Sequence, residues 1–172
     1  MKKIPSKNLG FTLIEILLVI SLIVLILTIV TTNLFNPVSQ GKLDAVSTDA
    51  VSIIREAQNK AMNSDTSGQT TSSEYGVHFE SNKYILFKGA AYNPSDSSNF
   101  VVNAPSGITI IPNLPCSSPP NGCANIVFQK ISGEVASFNG SQNSVCIIET
   151  SQKQKKNLLI NFVGVVNTQD GC

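Results

Sequence analysis

The chain has 172 residues, enough for one core of ordinary size beside a long helix. Its 12 Lys and Arg against 11 Asp and Glu leave a formal net charge of +1, so there is no basic surplus of the kind that holds nucleic acid through phosphate neutralisation. A single histidine in the whole sequence leaves little material for general acid–base catalysis.

The first ten residues, MKKIPSKNLG, carry Lys2, Lys3 and Lys7 and no acid. The next twenty, FTLIEILLVISLIVLILTIV, are apolar except for Thr12, Glu15, Ser21 and Thr28. A carboxylate inside an apolar run of that length is the anomaly, because a charge near the middle of a bilayer costs about 2.5–3.5 kcal/mol. An ordinary secretory signal has a shorter apolar core and a small-x-small cleavage site; here the run is followed by Thr31-Thr32-Asn33-Leu34-Phe35. A plain membrane anchor explains the length but neither Glu15 nor the Gly10-Phe11 junction. The arrangement resembles the signal of type IV pilins and type II secretion pseudopilins: a short basic leader ending in Gly, then Phe-Thr-Leu-Ile-Glu, then an apolar helix. The resemblance implies that residues 1–10 are a leader removed by a prepilin peptidase after Gly10. Phe11 is then the new, N-methylated terminus, and Glu15 serves filament assembly by meeting the terminal amine of a neighbouring subunit.

Residues 11–35 read as a transmembrane and assembly helix, about 30 Å long over its first twenty residues at 1.5 Å per residue. The leader lysines hold its N-terminus in the cytoplasm and place the rest outside. Asn36-Pro37 is expected to break or kink the helix. Many pilins have a proline somewhat earlier, where this chain has Thr32. Residues 36–63 read as an amphipathic second half, with Leu43, Val46, Ala50, Ile53, Ala57 and Ala61 on one face at spacings of three and four. The polar stretch to Ser73 is a loop.

From residue 74 to 172 the period becomes two. Tyr75, Val77 and Phe79 alternate with Gly76, His78 and Glu80, and KYILFK follows after Ser81-Asn82, which predicts a hairpin. Further strands are predicted at 100–102, 108–111, 126–129, 134–138, 145–149, 158–163 and 165–166. The fold class is thus α+β and pilin-like: a long N-terminal helix, its second half packed on an antiparallel β domain. The stretches YGVHFESNKYILF, IVFQKISGEVASF and LLINFVGVVN resemble the minor pseudopilin H (GspH/FimT) branch of the superfamily.

The cysteines, Cys116, Cys123, Cys146 and Cys172, all follow the apolar helix, and an even count on the exported side favours disulfides. Three connectivities are open. The turn-rich loop CSSPPNGC can close on itself, and pairing the last residue with Cys146 ties down a fraying end, so Cys116–Cys123 and Cys146–Cys172 are the expected bridges. Paired C-x-x-C spacing for zinc is absent.

No nucleophile motif, EF-hand loop or phosphate-binding glycine loop occurs, and no cofactor, metal or enzymatic role is expected. A calcium site built from Asp96 or Asp170 with loop carbonyls is the weaker alternative. His78, out of phase with the apolar residues of its strand, reads as a surface residue. Lys153, Lys155 and Lys156 read as a solvated hairpin tip, with a weak contact to DNA or another anion as the functional alternative; the tail NTQDGC has no positive charge to support it.

The resemblance implies a non-enzymatic minor pseudopilin of a type II secretion filament. It sits single-pass in the bacterial inner membrane, with the peptidase, other pilins, the inner-membrane assembly platform and membrane lipid as partners. The rival reading is a minor type IV pilin for DNA uptake or adhesion, with the β domain as a binding module.

Overall fold

The structure, a computed structural model, describes residues 12–63, 73–115, 124–151 and 153–172, and within them the side chains outside 30–39. It divides into two compact units, Met1–Val38 and Ser39–Cys172. The first helix, α1 (Leu13–Met62), has 50 residues. Asn36-Pro37 does not end it. One proline removes a single backbone donor, and the helical ladder continues to Met62.

In the first unit, large apolar residues cover α1 on all sides, and every one from Leu13 to Ile29 is exposed. Among the described residues no helix is long and apolar enough to cross a membrane. The described apolar side chains cover roughly 25 Å at 1.5 Å per residue, against ~30 Å of hydrocarbon. The span expected over residues 11–35 is therefore not seen as such; Phe11 and the side chains of residues 30–35 lie outside what the structure describes.

In the second unit the expected stripe is buried: Leu43, Val46, Ala50, Ile53, Ala57 and Ala61 all face the core, joined by Ile54. Ala57 and Ala61 are wholly inaccessible, and side chains this small let the helix backbone approach the sheets closely. Ser47 is buried on the same face, and its hydroxyl donates to the Leu43 carbonyl at 2.6 Å, which removes the penalty of an unpartnered polar group.

Eight strands follow. They are β1 (Tyr75–Glu80), β2 (Lys83–Lys88), β3 (Phe100–Asn103), β4 (Ile108–Asn113), β5 (Asn125–Phe128), β6 (Ser144–Glu149), β7 (Gln154–Ile160) and β8 (Val166–Asp170). They form two four-stranded antiparallel sheets, ordered β3-β2-β1-β5 and β4-β6-β7-β8. The predicted hairpin is β1–β2, closed in register from Tyr75↔Lys88 to Glu80↔Lys83. Residues 134–138 do not form the predicted strand; they contribute one isolated bridge, Phe128↔Val135. One apolar core takes the helix stripe, Tyr75, Val77 and Phe79 from the first sheet, and Val145, Ile147 and Leu158 from the second.

The first sheet is covered on both faces, which corrects the reading of His78. The residue is only 8% exposed. Cross-strand partners His78, Ile85 and Asn125 share the face away from the helix. His78 Nδ1 donates to Asn125 Oδ1 at 2.6 Å, and Tyr92 stacks on the imidazole with ring centres 4.1 Å apart. The segment 89–99 thus supplies a cover that a two-residue period cannot reveal. Gly76 is required on the same face: a Cβ there would meet the Phe87 ring at 2.5 Å and the Ile126 carbonyl at 2.6 Å.

One polar contact fixes the helix to the first sheet. Tyr84 is buried, and its phenol donates to the Asp49 carboxylate. Burial, reinforced by that hydrogen bond and the Asp49 charge, pushes the phenol's pKa well above its ordinary value. A raised folded-state pKa contributes stability that is full below the unfolded value of about 10 and is lost as the pH rises beyond it. Tyr84→Phe is expected to cost about 1–2 kcal/mol in neutral urea denaturation. It should also flatten the loss of stability above pH ~10, since the phenylalanine variant has no proton to lose there. An unchanged alkaline slope would contradict the assignment.

Candidate functional site

The N-terminal site begins at Thr12, whose carbonyl accepts the amides of Glu15 at 3.1 Å and Ile16 at 3.3 Å. Glu15 therefore lies in the first turn of α1, where the helix dipole favours a negative charge. It is the one ionisable side chain between Leu13 and Ile29. The two hydroxyls of that stretch are satisfied inside the helix: Ser21 donates to the Leu18 carbonyl and Thr28 to the Leu25 carbonyl, each at 2.8 Å. These side chains need no water, so an apolar surrounding suits them. Gly10 and Phe11 lie outside the described residues.

The three lysines singled out in the sequence lie in the turn before β7 and along that strand. Lys153 occupies a turn with φ +56°, while Lys155 and Lys156 alternate along β7. The Lys156 ammonium donates to the Asp44 carboxylate, and its cross-strand partner is Asp170. Asp44, Asp170, Lys155 and Lys156 line one shallow hollow beside Gln40 and Gln154, so the local charge is mixed. Asp96 is engaged with Ser98, whose backbone amide and hydroxyl both donate to it and hold its carboxyl below the usual range. Among the described residues no group of three or more His, Cys, Asp and Glu is placed to hold a metal ion. His78 faces Asn125, Tyr92 and, at 3.8 Å, Glu80.

Cys146 on β6 and Cys172 are joined in a disulfide with their Cα atoms 5.9 Å apart. The bridge crosses β7 and ties the chain end beyond β8 to the middle of the second sheet. Cys116 and Cys123, the other expected pair, lie outside the described residues.

A contact that sequence reasoning missed lies at the end of α1. Gln58 donates from one amide nitrogen to the Gly133 carbonyl at 2.9 Å and to the Val163 carbonyl at 2.6 Å. It clamps two loops, 129–135 and 161–165, onto the last turns of the helix. Gly164, with φ +86°, sits against the same amide, and a Cβ there would stand 2.4 Å from Gln58 Nε2. Nothing in the spacing of Gln58 marks it, since it lies beside the apolar stripe like any solvated residue.

Residues 5–31 match the prokaryotic N-terminal methylation motif. No curated protein sequence matches the chain. Among solved structures, the minor pseudopilin EpsH from the Type 2 Secretion System of Vibrio cholerae is similar at a TM-score of 0.50 and 13% identity, with 75% of this chain and 97% of that chain covered. At that identity the likeness speaks to the fold. What the two comparisons share with this chain is a short N-terminal motif and a fold, a long helix followed by antiparallel sheets.

The bridge generates a stability prediction. Cys146 and Cys172 are 26 residues apart, and closing a loop of that length is worth about 3.5 kcal/mol in the chain-entropy account. Cys172→Ser should lower stability by a few kcal/mol and speed hydrogen exchange in β8 before β6. Equal protection of β8 with and without the bridge would show that it does not hold that strand.

Proposed function

We propose that this protein is a structural, non-enzymatic subunit of a pilus-like filament, of the minor pseudopilin type that serves type II secretion. One observation carries the reading: a prepilin methylation motif at residues 5–31 stands ahead of an H-like pseudopilin fold. In this reading residues 1–10 are the leader, prepilin peptidase cuts after Gly10, and Phe11 becomes the methylated terminus. The apolar half of α1 lies in the inner membrane with its N-terminus cytoplasmic, and the β domain is extracytoplasmic. Lipid, and then neighbouring pilins on the assembly platform, cover the apolar residues from Leu13 to Ile29 that this chain leaves exposed.

Glu15 has the central role. Cleavage creates an α-amino group at Phe11, and staggered packing of helices sets Glu15 of one subunit against that amine in the next. The pairing makes both charges tolerable in a medium where either alone is costly, and it rejects a neighbour that is uncleaved or out of register. The rival DNA-uptake reading rests on the basic cluster, and Lys156 of that cluster is flanked by Asp44 and Asp170.

Two measurements test the proposal. Mass spectrometry of the protein from peptidase-containing cells should find methylated Phe11 at the terminus; an intact leader there would refute processing. Glu15→Leu should be cleaved normally yet be recovered with assembled filament at roughly a tenth of the wild-type yield or less, the loss expected when a charge pair worth about 1.4 kcal/mol or more is removed. Normal co-assembly of the cleaved variant would refute the pairing role.

A further inference from the structure

The turn that precedes β6 holds a reactive pair. Asn139-Gly140 stands at its start, and both residues are exposed. The Gln142 amide donates to the Asn139 carbonyl at 3.0 Å, which closes a β-turn with Asn139 in its first position. Asparagine suits that position because its side chain can bond the backbone two residues on. It does so here: the Ser141 amide donates to Asn139 Oδ1 at 3.0 Å. That bond folds the side chain back along the chain and turns its Cγ toward the next backbone nitrogen, that of Gly140. The side-chain nitrogen, Nδ2, donates to Gln142 Oε1 at 3.3 Å.

The same turn favours attack of the Gly140 nitrogen on that Cγ. Among the described residues the Gly140 amide donates to no partner, so no hydrogen bond withholds it. A Cβ built on Gly140 would meet no atom within 4 Å, and glycine's backbone is free to turn toward the side chain. The Ser141 amide is already aimed at Oδ1, the oxygen that becomes an oxyanion when Cγ turns tetrahedral. A donor fixed on that oxygen in advance stabilises the charge as it develops, so the bond that orders the turn also serves the reaction. Asn93 provides the contrast. It makes the same bond, with the Ser95 amide at 3.1 Å, but the next residue is Pro94, whose nitrogen has no hydrogen to lose.

We infer that Asn139-Gly140 is a site of self-modification, at which the turn converts its own asparagine into an acid. The Gly140 nitrogen loses its proton to solvent base and bonds to Asn139 Cγ. The Cγ–Nδ2 bond breaks, and the nitrogen leaves as ammonia after taking a proton from water. Water then opens the five-membered imide. Opening at Cγ gives aspartate on the original backbone; opening at the Asn139 backbone carbonyl gives isoaspartate. No electrons are exchanged, and water is the one co-reactant. Either product places a negative charge on the turn, and isoaspartate also lengthens the backbone path by Cβ. The turn and its tie to β4, the Asn113 Nδ2 bond to the Ser141 carbonyl at 3.2 Å, are thereby loosened. The reaction is chemically independent of the filament reading.

The test uses the purified full-length chain in detergent at mildly alkaline pH, with a synthetic peptide of residues 136–144 as the same sequence without the fold. Peptide mapping should find the amide-to-acid mass change at Asn139. The other Asn-Gly pair, Asn121-Gly122, lies outside the described residues and is read from a separate peptide. Asn139 should convert in the folded chain at least as fast as in the synthetic peptide, and before Asn93. Slower conversion in the folded chain, or conversion of Asn93 first, overturns the proposal. Gly140→Ala keeps the fold, since its Cβ meets nothing within 4 Å. It should slow conversion roughly tenfold with no fall in melting temperature; an unchanged rate overturns the proposal. In the converted chain, amide hydrogen exchange over residues 140–144 should quicken, and unchanged exchange there overturns the loosening of the turn.

Discussion

The β domain depends on one buried face, the run of α1 from Leu43 to Ala61. Each of the two sheets has an apolar side that must be covered, and the helix stripe is the element they share. Each buried Leu or Ile of the stripe contributes about 1.5–3 kcal/mol, whereas the single polar contact Tyr84–Asp49 is worth about 1–2 kcal/mol. The apolar stripe therefore decides that the helix packs, and the polar contacts decide how. Ala50, Ala57 and Ala61 bring the backbone near enough for Asp49 to reach Tyr84 and for Gln58 to reach two loop carbonyls. A bulkier residue at Ala57 would lift the helix off the sheets and break both contacts together.

What the sequence made legible was whatever is encoded locally. The stripe on α1 follows from spacings of three and four, and the β1–β2 hairpin from two β-rich runs around Ser81-Asn82. The N-terminal motif is a short linear string, so it is visible as one. Features that depend on distant residues were not legible. His78 looked solvated because alternation assumes one wet face, and the stacking ring of Tyr92 that covers it arrives from a loop. Lys156 looked like part of a basic tip because Asp44, its partner, lies 112 residues earlier. Residues 134–138 have strand-like composition, yet with Val135 amide bonded to the Phe162 carbonyl and Ala136 amide to that of Val127 they form a splice between elements and no ladder. The strain at Ile131, whose φ is +74°, has no sequence signal at all, since isoleucine is among the last residues expected at positive φ.

Along α1 the same secondary structure is written for two different surroundings. After residue 40 the apolar residues keep to one face and include small ones, the composition of a helix that packs on its own chain. Before residue 30 they go all round and are large, and the chain itself buries none of them. A helix apolar on every side needs a medium or a set of neighbours outside the molecule. Within that stretch Ser21 and Thr28 are already satisfied by their own helix, so they accept any apolar surrounding. Glu15 does not. A surrounding that covers Leu13 to Ile29 must either leave it at the interface or bring a cation to it. The first is available to a lone subunit in lipid and carries no information about neighbours. The second distinguishes one neighbour from another, because a cation must be placed at one particular height along the helix. In the function proposed above, the acid in the apolar run is thus what would convert nonspecific association into association in one register.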